Sequence, residues 1–324
     1  MSASGRVVYQ NGEYVAEADA RISIFDSALM FGDMVFEMTR SFNKQQFKLR
    51  EHLERLMAGV KILHIPLAIG VQELEEICHE VVRRNDPVFA ETDEHRLMIN
   101  ISRGPLGIYS EIFDGKIEPT VVVADFPLKW TVAGMGELFN LGINAVVPSQ
   151  RAIPSSLMDP KIKNRSRLFY QMANIEVSKV KGDRNWALLL DPDGLVTEGT
   201  GDNFFIVRDG VVITPEGRNV LRGISRDYIF ELCKELGIEC CEKPFDLYDV
   251  YTADEAFMTG TPFCLLPVSS LNDLPIGTHP MGAVTRNLLD RWSENVGLNI
   301  ENQIKKFNEE TKESSGASPY RFKK

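Results

Sequence analysis

Histidine and cysteine are scarce in this chain of 324 residues, with five of each. The cysteines are Cys78, Cys233, Cys240, Cys241 and Cys264, an odd number that sits mostly inside apolar patterns. None has zinc-ligand spacing, and so few histidines leave no metal site to expect. They read as reduced structural thiols. Cys240 and Cys241 are adjacent, so they cannot both point inward along a strand. No apolar run approaches the roughly 18 residues of a membrane span. The N-terminus, MSASGRVVYQNGEY, has no apolar signal core, and a cytoplasmic protein is the expectation. Basic charge is also short: the net charge is −10 and no basic stripe offsets it, which argues against a nucleic-acid partner. Internal repeats and low-complexity blocks are absent as well.

What is present is ordinary for a globular protein: 44% hydrophobic and 25% charged residues. The length suffices for two domains. Strand-like pieces at 7–9 and 14–15 flank an Asn-Gly turn signal. Strand-like runs alternate over 35–48 around Asn43-Lys44. In LREHLERLMAGVKIL, Leu49, Leu53, Leu56, Met57, Val60 and Leu63 keep helical spacing. A second amphipathic helix spans 71–85, and strands follow at 96–102 and 120–125. This α+β pattern predicts a small domain over 1–127, a linker over 128–136 and a larger domain over 137–324. The larger part reads as a strand from 142, a helix over 164–180, strands to 214, a helix over 226–236, a strand at 256–259 and a helix over 281–294. The polar tail from Asn308 is expected to fray.

The segment WALLLDPDGLVTEGTGDNFFI, 186–206, is the most informative. An apolar run enters an Asp-Pro-Asp-Gly turn, and a short extended piece delivers Glu198 into a Gly/Thr-rich corner. An acid between two apolar strands is costly to bury without a cationic partner. Glu198 is therefore expected to face a cation or a protonated nitrogen. Lys163, in DPKIKNRSRLFYQ, precedes a predicted helix, whose dipole would lower its pKa as a Schiff-base lysine requires. Lys161 is its competitor. Ser225, in Gly223-Ile224-Ser225-Arg226, is placed to cap a helix whose N–H groups could hold phosphate. Thr259-Gly260-Thr261-Pro262 could offer hydroxyls and N–H groups to an anion. Arg55 lies on a helix beside Glu51 and Glu54, which could pair it in solvent. Arg40 and Arg103 each follow a strand-like run, where a buried arginine wants an anion.

The order of these elements resembles the class IV (fold type IV) pyridoxal-phosphate aminotransferases, over about residues 5–300. The family includes branched-chain amino-acid aminotransferases, D-amino-acid aminotransferases, (R)-selective amine transaminases and aminodeoxychorismate lyases. Its sharpest motif here is Thr197-Glu198-Gly199-Thr200-Gly201-Asp202-Asn203-Phe204-Phe205. The resemblance implies a two-domain fold, a small N-terminal α/β domain and a larger one with a mixed sheet or barrel. It implies that Lys163 binds pyridoxal 5'-phosphate covalently and moves the proton, and that Glu198 sits on the pyridine nitrogen. Arg55, Ile224, Ser225 and Thr261 match the phosphate cup. It further implies a homodimer.

The segment Phe31 to Arg40 resembles the part that lines the substrate pocket. Phe36, Glu37, Arg40 and Arg103 look like the branched-chain enzymes, which makes hydrophobic amino acids with 2-oxoglutarate the expected substrates. Phe31 and Met38 depart from that pattern, as does Ile101. Pro262 departs further, because proline has no N–H to offer a carboxylate at the Gly260–Pro262 turn. That points to Arg40 or Arg103 as carboxylate binders, or to a D-amino-acid or (R)-amine substrate. Asn164-Arg165-Ser166-Arg167 lacks the Asn-Tyr pair of the branched-chain type, and Arg167 could approach the cofactor's phenolic oxygen.

Overall fold

The computed structural model describes residues 5–311. Two compact units emerge, one of residues 5–128 with 162–167, the other of residues 129–161 with 168–311.

The first unit is built on a five-stranded sheet: β1 (Val7–Gln10), β2 (Glu13–Ala16), β3 (Met34–Met38), β4 (His95–Ser102) and β5 (Thr120–Pro127), in the order β2-β1-β5-β4-β3. All its pairings are antiparallel. Asn11 and Gly12, both at positive φ, make the β1–β2 turn. Two helices cover one face, α1 (Leu49–Ile62) and α2 (Val71–Asn85). Their apolar stripes, Leu49, Leu53, Leu56 and Val60 with Leu74, Ile77, Cys78 and Val81, pack on Val35, Leu97, Ile99, Ile101, Val121 and Val123. Alternation along the strands sends every other residue to the opposite face. Register therefore places Met34, Phe36, Met38, Arg96, Met98, Asn100, Val122, Ala124 and Phe126 there together.

The second unit contains β6 (Ile143–Val146), β7 (Asn185–Leu190), β8 (Val196–Gly199), β9 (Asn203–Arg208), β10 (Val211–Thr214), β11 (Cys240–Glu242), β12 (Glu255–Gly260) and β13 (Cys264–Leu271). The strand order is β8-β7-β6-β13-β12-β9-β10-β11, and β9 pairs back onto β8. Six strands thus close into a barrel, and the pair Glu198–Asn203 is its seam. Phe205 stacks on Phe257 within it, ring centroids 4.8 Å apart. The helices are α3 (Leu168–Val177), α4 (Ile224–Leu236), α5 (Ala283–Val296) and α6 (Ile300–Glu310).

Four expectations change. The stretch expected as a linker over 128–136 is helical, over Lys129–Val132 and Ala133–Met135, and Leu128, Val132, Ala133 and Met135 are buried. Its apolar residues pack against α6, which a linker would not do. The helix expected from 164 begins at Leu168, because 163–165 are extended along β3. Asn308 lies inside α6 rather than in a frayed tail, since Ile300, Ile304 and Phe307 form its buried stripe; residues 312–324 fall outside the described residues. Ser225 is not the N-cap of α4. Gly223 is, with no side-chain cap, and Ser225 is the second helical residue.

Candidate active site

In the first unit, Lys163 belongs to the sheet. Phe36 N donates to Lys163 O at 2.9 Å, and Arg165 N donates to Met34 O at 3.0 Å. Val35 and Asn164 face each other as an antiparallel bridge. Asn164 holds this short segment by local bonds, its Nδ2 donating to Ile162 O and its Oδ1 accepting from Ser166 N. The pairing directs Lys163 and Arg165 to the face that carries Phe36. Lys163 Nζ stands 5.0 Å from the Phe36 ring centroid.

On the helix-covered face lies a charged cluster. A Cβ at Gly59 would come within 2.9 Å of Val35, so glycine lets α1 settle close on β3. One and two turns upstream, Arg55 and His52 then reach Glu37. Arg55 Nε donates to Glu37 Oε1 at 2.6 Å and Nη2 to Oε2 at 2.8 Å; His52 Nδ1 is 2.8 Å from Oε2. Glu37 is 0% exposed. Burial alone would push its carboxyl up, but Arg55 and His52 outweigh burial and hold it well below the usual range. Burial pushes the His52 imidazole down, so at neutral pH it serves as a neutral Nδ1–H donor. Arg55 is thus paired with buried Glu37, and its guanidinium plane is fixed.

The other first-unit candidates are placed unevenly. Arg40 is 1% exposed, stacks 3.9 Å over Phe42 and donates to Ser41 O. Arg103 pairs with Asp33 at 2.6 Å and donates to Leu63 O and His64 O, so it ties the end of β4 to the end of α1. Phe31 is exposed, at the end of the short helix Ser27–Phe31. Met38 is half-buried, with Arg96 Nη2 3.6 Å from its Sδ. Sequence reasoning passed over both Arg96 and Arg165. For Arg165 the signal was register: it lies two residues from Lys163, on the same face; for Arg96 the sequence offered none.

In the second unit the Glu198 carboxylate is 7% exposed. Tyr170 donates to Oε1 at 2.8 Å; Asn203 Nδ2 and the Leu221 N–H each donate to Oε2 at 3.0 Å. A hydroxyl, an amide and a backbone N–H thus orient this acid. Asn203 Nδ2 also donates to Leu221 O. A Cβ at Gly223 would fall 2.2 Å from Asn203 Oδ1, so only glycine lets the α4 N-terminus lie against this pair. Ile224 and Ser225, both buried, open that helix. Gly260 ends β12 near the same corner, where an added Cβ would lie 3.5 Å from Gly201 O. The buried Thr259 hydroxyl, one residue earlier, has no hydrogen-bond partner among the described residues. Thr261 and Pro262 follow in the turn to β13, where Cys264 takes a positive φ of 67°.

A sequence model of the family Amino-transferase class IV matches residues 34–271. The branched-chain-amino-acid aminotransferase of Escherichia coli strain K12 is 32% identical over 290 residues, 87% of this chain and 90% of the relative. The crystal structure of an Escherichia coli branched-chain amino acid aminotransferase matches with a TM-score of 0.78 at 30% identity, covering 91% of this chain and 95% of the other. So does a T.th. branched-chain amino acid aminotransferase complexed with N-(5'-phosphopyridoxyl)-L-glutamate, with a TM-score of 0.78 at 29% identity, covering 94% and 97%. The barrel seam at Glu198, the lysine-bearing segment on β3 and these matches all lead to one family: the chain belongs to the class IV aminotransferases.

Proposed function

We propose that the protein transaminates branched-chain or other hydrophobic amino acids with 2-oxoglutarate as acceptor. One observation carries this most: Lys163 is locked in sheet register on a face that offers the apolar side chains Phe36, Met34, Met38 and Met98 together with the guanidinium groups of Arg96 and Arg165. Class IV aminotransferases use pyridoxal 5'-phosphate, which when bound supplies a ring that takes up the electron pair left at the substrate Cα.

The residues fit that group. The Thr259 hydroxyl is buried and unsatisfied, the α4 N-terminus has no side-chain cap, and both neighbour the strands that hold the buried Glu198. A helix start of this kind suits a phosphate. In this reading Ile224 and Ser225 hold the phosphate through helix N–H groups and hydroxyl, with Thr261 and Arg55. Glu198 keeps a proton on the ring nitrogen, and Tyr170 and Asn203 orient it. Lys163 Nζ accepts the Cα proton as general base and returns it. Gly260, Phe36 and Met38 line the substrate.

We further propose a cytoplasmic homodimer, as the family resemblance implies. No helix among the described residues is long and apolar enough to cross a membrane. Pro262 supports a second reading, a D-amino-acid or (R)-amine donor, because its turn lacks an N–H for the substrate carboxylate.

Borohydride reduction of the protein with pyridoxal phosphate, followed by peptide mass mapping, should label Lys163. A label on Lys161 instead would overturn the assignment. A panel of L-amino acids, D-amino acids and (R)-aryl amines then ranks the two substrate readings, and light scattering measures the assembly.

A further inference from the structure

The face opposite the helices in the first unit has a charge imbalance that the roles above leave unexplained. Along β3, β4, β5 and residues 163–165, the positions directed to that face include Arg96, Lys163 and Arg165 and no acidic residue; the Asp26 carboxylate, from outside these strands, is bonded to Ser102 and Thr120 at the end of the face. The imbalance is sharpest at Arg165. Its guanidinium lies 3.7 Å over the Phe36 ring centroid, with Lys163 Nζ at 5.0 Å and the Arg167 guanidinium at 5.5 Å from the same centroid. Its only side-chain hydrogen-bond acceptor among the described residues is a neutral one, Asn100 Oδ1, at 2.9 Å from Nη2 and 3.3 Å from Nε. An arginine with so much of its charge withdrawn from water wants a carboxylate. Burial and the charge of Arg167 push this one down to about 10, so it stays cationic at neutral pH and carries the desolvation cost.

Such an arrangement stores an interaction for a ligand. Phe36 fixes the plane of the guanidinium by stacking, and Asn100 fixes its rotation about that plane. Phe36 and Asn100 are themselves paired across the β3–β4 ladder. The fork is preorganised for a planar anion, on the same face as Lys163 and beside Met34 and Phe36.

We propose that Arg165 is the carboxylate anchor of the substrate, with Asn100 as its positioning residue. The inference rests on the aminotransferase reading above and adds a specificity determinant to it. It also gives the protein a donor for the carboxylate at a site independent of the Pro262 turn. The apolar remainder of the substrate then has Phe36 and the methionines for company.

The test uses the holoenzyme and a non-reacting pair, 4-methylpentanoate and its uncharged amide, 4-methylpentanamide. Calorimetric affinities are measured for the wild type, Arg165→Gln, Arg165→Lys and Asn100→Ala. Arg165→Gln should weaken the acid by about 10- to 100-fold, the loss of a charge-assisted hydrogen bond, and leave the amide within about two-fold. Arg165→Lys keeps the charge without the fork and should fall between, about 3- to 10-fold. Asn100→Ala should weaken the acid by a smaller factor and leave the amide unchanged. Equal losses for acid and amide, or no loss in either arginine variant, overturn the proposal. Single-turnover amination of 4-methyl-2-oxopentanoate and of 2-oxoglutarate separates the two sources of carboxylate: a loss with both marks the α-carboxylate, a loss confined to 2-oxoglutarate marks the distal one. Wild type that forms no visible band with pyridoxal phosphate contradicts the aminotransferase reading itself, whatever Arg165 does in the acid–amide comparison.

Discussion

The two faces of the five-stranded sheet handle charge in opposite ways. On the helix-covered face, Glu37 is matched by Arg55 and His52, and Asp125 by His95 at 2.8 Å. On the other face Arg96, Lys163 and Arg165 share the surface with thioethers, phenyl rings and an amide, and the carboxylate bonded there, Asp26, is taken up by Ser102 and Thr120. One sheet therefore carries a neutralised side and a side biased toward cations. Neutralised clusters hold elements together; a biased surface costs desolvation and persists where a ligand supplies the missing charge. Substitutions on the two faces should separate into losses of stability and losses of chemistry.

The largest expected effect is on the biased side. Lys163→Ala should lower transamination by about 1,000-fold or more, the contribution of a positioned base and covalent anchor, with unfolding by denaturant within about 1 kcal/mol of wild type. A variant that unfolds readily would place Lys163 among the structural residues and erase the contrast. Next comes the neutralised side. Arg55→Ala leaves Glu37 buried with only a neutral imidazole, and should cost about 3–5 kcal/mol of stability by chemical denaturation. If Arg55 serves the phosphate alone, stability would hold and only cofactor affinity would drop.

Acid titration refines that comparison. The Glu37 carboxyl is held below its ordinary value, so its contribution is fully present above about pH 4.3 and is lost as pH falls through the depressed folded value. The stability gap between wild type and Glu37→Gln should be widest near pH 7 and narrow progressively below about pH 4. A gap that widens on acidification would mean that burial, not Arg55, governs this carboxyl. The smallest effect is expected from Pro262→Ala, which restores one N–H to the turn and should tighten carboxylate binding by about two- to five-fold, read as the KM for an amino acid against that for an amine.

Much of this was readable from residues alone. Helical spacing located α1 and α2 to within a residue at most ends, because their stripes are regular and their packing partner is a sheet. The Thr197–Phe205 motif announced a corner holding Glu198 and a buried strand after it, and the structure makes that corner the barrel seam. Local signals misled where the chain's partner was distant. Residues 163–165 carry no strand signature, because a polar, arginine-rich segment becomes extended only by pairing with β3. Ser225 resembles a cap because serine caps well, yet Gly223 takes that place to clear Asn203. The salt bridges of Arg55 and Arg103 join residues 18 and 70 apart in sequence, a separation at which spacing is silent. Arg165 stands out in the sequence only as part of a segment that lacks the Asn-Tyr pair, when its charge is the informative property.

The return of residues 162–167 to the first unit has a consequence for biosynthesis. Until that segment has been made, β3 is an edge strand with unpaired backbone groups, the kind of edge that recruits other chains. A fragment ending near residue 128 would therefore be a sticky intermediate rather than an autonomous module. The same six residues that bring Lys163 also seal the sheet, so no nascent chain can complete its first unit without acquiring that amine.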